Sequence, residues 1–144
     1  MARTDSGCAP NRNLLSPDGR QLWITARASN ALLAFNTNRL ISHGNDFLVA
    51  NVQVGTLPLG LALVKNGTRM LVANSDRYTY RGAHAGITIV DVRAALEGSE
   101  DANLREIFAD SYPREIAVSP DGKMALVSEN GASRIRAVDI DTVP

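Results

Sequence analysis

The chain has 144 residues, enough for one domain with its own core. Its 15 lysines and arginines balance 15 aspartates and glutamates, which excludes the basic excess that nucleic-acid and membrane-surface partners need. One cysteine (Cys8) and two histidines (His43 and His84) allow no internal disulfide and no structural zinc pattern, so neither a metal nor another cofactor is expected.

From the first residue the segment "MARTDSGCAPNRN" is polar, and nowhere is there an apolar run of membrane-spanning length. The expectation is a soluble, cytoplasmic chain with no membrane partner. A first unit then runs over residues 8–54. It contains "SPDGRQLWITARASNALLAFN", starting at Ser16, and a further strand candidate over 47–54. A second unit, 55–110, contains "GTLPLGLALVKNGTRMLVANSD" and "GITIVDV", one short helical turn over 93–96, and a strand candidate over 104–109. A third unit, 111–144, contains "SPDGKMALVSENGASRIRAVD", starting at Ser119, which aligns with the stretch of the first unit without a gap.

The three units share anchors. Pro10, Pro58 and Pro113 open them, Gly19, Gly67 and Gly122 follow nine residues later, and Asn36, Asp91 and Asp139 come near their ends. Each unit is a series of four- to seven-residue segments rich in Val, Ile, Leu and Ala, bounded by turn residues, as strands are. "SPDG" suits a type I hairpin turn: proline presets the first torsion, aspartate tolerates the next, and glycine takes the left-handed position. "KNGT" offers the same chemistry. Strands that are apolar on both faces are covered on both sides. A period near 50 residues, with four antiparallel strands in each unit, describes the blade of a β-propeller. The fold expected is all-β: a partial propeller of about three four-stranded blades, the last incomplete.

Antiparallel order sends the second-to-third-strand loops and the approaches to each first strand to one end of the molecule. The approaches are 56–60 and 111–115; the loops are 26–30, 74–86 and 128–133. The middle loop is about seven residues longer than the others and carries Asp76, Arg77, Tyr78, Tyr80, Arg81 and His84. Long loops on a rigid scaffold are where binding groups gather. This end supplies the candidate ligand-binding residues Arg27, Asp76, Arg77, Tyr78, His84, Tyr112 and Glu115.

The stretches "SPDG…LWITARASNALLAFN" and "YPREIAVSPDGKMALVSENGASRIRAVDI" resemble the YVTN-type repeats of the lactonase-like β-propeller superfamily. The resemblance runs from about Cys8 to Asp141. It implies a propeller, and the 6-phosphogluconolactonase and carboxymuconate-cyclase branch adds a Pro-Arg-His approach to one blade and a glutamate after that blade's second strand. "YPRE" supplies Pro113 and Arg114 but has Glu115 where that branch has histidine, and "LVSEN" supplies Glu129. The blade approach "LPLGLAL" lacks the branch's other histidine. By this resemblance Arg114 would hold an oxyanion or a carboxylate and Glu129 would be the base of a lactone hydrolase. The bland alternative is a structural ion pair between the two. Because both histidines are missing, the first expectation is a non-catalytic scaffold that binds a protein or small molecule on the long-loop face, and the alternative is a lactonase. Three blades fall short of a closed ring, so a homodimer completing a six-bladed ring is the partner expected.

Overall fold

The structure is a computed structural model that describes residues 7–77 and 85–144. Three antiparallel sheets follow one another along the chain. Sheet one is β1 (Pro10–Leu15), β2 (Gln21–Ala26), β3 (Ala31–Asn36) and β4 (Leu48–Gln53) in sequential order. Sheet two is β5 (Pro58–Val64), β6 (Arg69–Asn74), β7 (Gly86–Asp91) and β8 (Asn103–Phe108), again sequential. Sheet three has β9 (Pro113–Val118), β10 (Met124–Glu129) and β11 (Arg134–Asp139). The expected partial propeller, with two four-stranded blades and a three-stranded one, is the fold observed.

Each anchor has a structural reason. The prolines are the first residues of β1, β5 and β9, where no ladder donor is needed. The residue before each one has a left-handed backbone: Ala9 (φ 55°), Leu57 (φ 54°) and Tyr112 (φ 49°). Its carbonyl then accepts from the residue that follows the second strand, Arg27 (3.0 Å), Ser75 (3.1 Å) or Asn130 (3.0 Å). One extra residue bulges out of each first strand just after the proline, opposite Ala26, Asn74 and Glu129 respectively. The bent strand and the left-handed approach therefore belong to the repeat, not to any one blade.

The two "SPDG" turns are copies in space. Gly19 and Gly122 both have φ 71° and donate to Ser16 and Ser119 carbonyls at 2.8 and 2.9 Å. Asp18 and Asp121 each accept from the preceding serine hydroxyl and from a backbone N–H two residues on, Arg20 or Lys123. "KNGT" differs from the expectation. Asn66 and Gly67 both take positive φ, 55° and 82°, closed by a Thr68 N–H to Lys65 carbonyl bond of 3.1 Å. Asn-Gly favours this mirror-image sense, and the segment lacks the proline that would hold the first torsion negative.

After the third strand, Asn36, Asp91 and Asp139 each cap a short helical turn through the side chain, accepting from Arg39, Ala94 and Asp141 N–H groups. The first two turns are α1 (Thr37–Ile41) and α2 (Val92–Leu96). The core lies between blades. Trp23, Leu32 and Ala34 meet Leu61, Met70, Val72 and Val90 between blades one and two, with α2 packed against them. Val64, Leu71, Ile87 and Ile89 meet Ala125, Val127 and Val138 between blades two and three, with Ile140 and Val143 of the last turn packed in. Among the described residues no helix is long and apolar enough to cross a membrane.

Candidate functional site

The inner strands β1, β5 and β9 lie side by side, and their first turns open on the loop-bearing end. Position by position, Arg12 corresponds to Gly60 and Glu115, and Asn11 corresponds to Leu59 and Arg114. A Cβ on Gly60 would collide with the Arg114 carbonyl oxygen and reach 3.0 Å from Glu115 Cα, so only glycine lets β9 pack this closely on β5. With no side chain there, Arg12 of blade one reaches Glu115 of blade three across blade two. Arg12 Nε donates to both carboxylate oxygens, at 3.1 and 3.3 Å, and the Nη2 group donates to Oε1. This hydrogen bond, with the charge of Glu115, raises the pKa of Arg12 above the ordinary arginine value.

Around this bridge lies a cavity of about 160 Å³ lined by Asn11, Arg12, Arg27, Leu59, Arg77, Tyr112, Arg114 and Glu115. Four of these eight are arginines and one is a carboxylate. The second-to-third-strand loops supply Arg27 and Arg77, and β9 with its approach supplies Tyr112, Arg114 and Glu115. Arg77 stacks over the Tyr112 ring, Cζ to centroid 5.4 Å, which fixes that guanidinium at the rim. Arg114 is half exposed, and its Nε lies 4.0 Å from Glu115 Oε1. Five sequence candidates therefore meet in one cavity: Arg27, Arg77, Tyr112, Arg114 and Glu115. Asp76 is buried beside them at 2% exposure and does not line it. Tyr78 and His84 lie outside the described residues.

Glu129 is placed elsewhere. It is fully buried at the interface of blades two and three. Its Oε1 accepts from Arg136 Nε at 2.5 Å and from the backbone N–H of Asp110 at 3.3 Å. Asp110 in turn holds Arg134 at 2.7 Å and Arg136 at 3.1 Å. Glu129 Oε2 is buried and, among the described residues, has no hydrogen-bond donor. The guanidinium paired with Glu129 is thus that of Arg136, and Arg114 faces the cavity, which Glu129 does not line.

Sequence reasoning passed over Arg12, Arg136 and Asp110. The signal for Arg12 was present in the repeat alignment: the second position after each opening proline reads Arg, Gly and Glu, a charge, a gap and the opposite charge. Among the described residues no group of three or more His, Cys, Asp or Glu side chains is placed to hold a metal ion.

No protein-family model matches the sequence, and no curated protein matches it. Solved structures do. Hydrazine synthase from Kuenenia stuttgartiensis superimposes with a TM-score of 0.76 at 21% identity, over 99% of this chain and 36% of that one. A functionally unknown protein from Desulfotomaculum acetoxidans DSM 771 gives 0.73 at 12% identity, over 99% and 40%. A "putative 6-phosphogluconolactonase" from Bacteroides uniformis ATCC 8492 gives 0.67 at 16% identity, over 94% and 37%. The chain spans between 36% and 40% of the length of these structures. At such identities the likeness is one of fold, a propeller-like scaffold that one lactonase-named structure shares.

Proposed function

We propose that the chain is a non-catalytic segment of a YVTN-type β-propeller that binds an anionic small molecule at the loop-bearing end of its inner strands. The observation that carries this reading is the four-arginine cavity. Guanidinium groups present planar forks that match carboxylate and phosphate oxygens, and Arg12 shows how such a group binds a carboxylate here. The rim stacking of Arg77 on Tyr112 orients one fork before any ligand arrives. The duplicated "SPDG" turns, superposable in backbone and side-chain bonding, support the repeat type.

The placement of Glu129 favours binding over lactone hydrolysis. A general base must reach a water beside the substrate, and this carboxylate is turned into the interface between blades and held by Arg136. Isothermal titration with citrate and with inorganic phosphate, using glucose as the neutral control, tests the proposal. Saturable binding of an anion is expected, weakened about tenfold or more by Arg114→Ala or Arg77→Ala, the scale of one lost charged hydrogen-bonding group. Binding of neither anion, or binding indifferent to both substitutions, would overturn it. Lactone turnover that Glu129→Gln abolishes without unfolding the protein would promote the hydrolytic reading.

A further inference from the structure

Consecutive residues of a regular strand point to opposite faces, yet Asn11 and Arg12 both line the arginine cavity, and so do Arg114 and Glu115. The bulge after each opening proline is the reason. Two residues there oppose a single residue of the second strand, Thr25 in blade one and Ser128 in blade three, and a bulge re-aims the side chains it carries. The opposing hydroxyls then fix the backbone. The N–H of Arg12 donates to the Thr25 hydroxyl oxygen at 3.1 Å, and the N–H of Glu115 donates to the Ser128 hydroxyl oxygen at 3.1 Å. Thr25 is fully buried, and its hydroxyl also donates to the Leu59 carbonyl at 2.9 Å, which ties β1 to β5. Equivalent hydroxyls thus hold two opposite charges at equivalent points of blades one and three, and Gly60 puts no side chain between them.

The Glu115 carboxylate lies as a bound carboxylate would. Arg12 Nε spans both of its oxygens, Nη2 adds a bond to Oε1, and Arg114 Nε stands 4.0 Å from that oxygen. A planar two-oxygen anion between two guanidinium groups suits this geometry. Both side chains of the Arg12–Glu115 pair are about half exposed. Solvent screening leaves such a pair weakly held, and a dissolved anion can exchange for the tethered one. We propose that Glu115 is a tethered occupant of the anion site, and that the ligand is a small polycarboxylate, one carboxylate of which takes its place between Arg12 and Arg114. The inference rests on the anion-binding reading above and assigns that site its selectivity. A monocarboxylate only replaces one carboxylate by another. A ligand with a second carboxylate also meets the other guanidinium groups of the lining.

NMR titrations at fixed ionic strength with citrate, inorganic phosphate and acetate test it. Glu115 is half exposed, so its variants keep the fold, as circular dichroism will show. Glu115→Gln is expected to bind citrate about fivefold or more tightly than the wild type does, the effect of removing one like charge at about 4 Å in water. Glu115→Ala removes the equivalent of one acetate ion, so acetate is expected to saturate this variant and to leave the wild type unmoved. Adding Arg12→Ala to Glu115→Ala abolishes the acetate response. Wild-type binding of citrate that Glu115→Gln leaves unchanged or weakens would overturn the proposal and leave the anion-binding reading standing. So would a Glu115→Ala variant that ignores acetate while still binding citrate. Failure of the wild type and both variants to bind citrate or phosphate would overturn the two together.

Discussion

Blades two and three solve one packing problem with different chemistry. The last residue of the second strand occupies the same place on its blade in all three: Ala26, Asn74 and Glu129, none more than 1% exposed. In blade two Asn74 donates to Thr88 at 2.7 Å and to Glu106 at 2.8 Å, and Gly55 leaves room because a Cβ there would strike the amide. In blade three the Thr88 position is Arg136 and the Gly55 position is Asp110, and both bind Glu129. Blade one fills the node with Ala26 and Leu33, against Gly7 at the Gly55 position. A neutral amide, an ion pair and an aliphatic contact are three fillings of one cavity. The comparison teaches that a buried glutamate at a position resembling a catalytic one is here first an interface residue.

Breaking the ionic filling should have the largest effect. Glu129→Ala takes one of two carboxylates from Arg136, which Asp110 still holds at 3.1 Å, and empties a fully buried site, so it is expected to cost about 2–3 kcal/mol. Asn74→Ala removes the two hydrogen bonds of an uncharged amide, one of them to the Glu106 carboxylate, and should cost about 1–2 kcal/mol. Urea unfolding monitored by circular dichroism, with midpoints shifting at constant slope, checks both; equal losses would erase the distinction. Transplanting blade-two chemistry sharpens it. Glu129→Asn combined with Arg136→Thr should be more stable than Glu129→Asn alone, because the guanidinium that lost one of its carboxylates has gone, and a double-mutant cycle in urea reads the coupling.

Next in size comes the seam between β5 and β9. Gly60→Ala pushes a methyl into backbone and should cost about 1–3 kcal/mol by overpacking. Arg12→Ala removes an ion pair whose side chains are 45% and 49% exposed, so solvent screening should keep its cost below that of Gly60→Ala while anion binding changes. Thermal melts of both variants rank them, and a larger loss from Arg12→Ala would reverse the ordering.

The smallest effect expected is one of pH, and it separates blades one and three from blade two. The Ser16 hydroxyl and the Arg20 N–H hold Asp18 below the ordinary aspartate value of 3.8, and the Ser119 hydroxyl and the Lys123 N–H do the same for Asp121. A depressed folded value means that the turns contribute stability above the unfolded value and lose it as pH falls through the folded one. Asp18→Asn and Asp121→Asn should therefore flatten the decline in stability below about pH 4, the unfolded aspartate range. Stability measured from pH 5 to pH 2 checks this, and unchanged slopes would contradict it. Blade two, with Asn66-Gly67 at its turn, has no such carboxylate there.

The blades were legible because their determinants are local. Proline at the strand start, Pro-Asp-Gly at the hairpin and a capping Asn or Asp after the third strand each act within a few residues. "KNGT" misled because Asn-Gly serves both turn senses and only the missing proline separates them. The site was half legible. Antiparallel order brought Arg27, Arg77, Tyr112, Arg114 and Glu115 to one end, as their loops dictate. The partners of the charges were not, because pairing depends on register and on contacts far along the chain. Arg12 and Glu115 are 103 residues apart, joined through a glycine in the intervening blade. Arg136 reaches Glu129 because β10 and β11 pair with Arg134 opposite Glu129, which puts the arginine two residues on upon the same face.

The helical turns after the third strands have a consequence for how the chain matures. α2 belongs to blade two but buries Ala95 in the core it shares with blade one. The turn after β11 sends Ile140 and Val143 back against blade two, where Lys65 and Arg69 hold the carbonyls of Val143 and Pro144. Each unit thus closes the one made before it. During synthesis from the N-terminus, blade one is still open when its own last strand emerges, and it is sealed only once residue 96 is out. Stability then accrues backward as the chain grows forward. Removal of residues 140–144 is felt first in blade two, the blade most distant in sequence among those it touches.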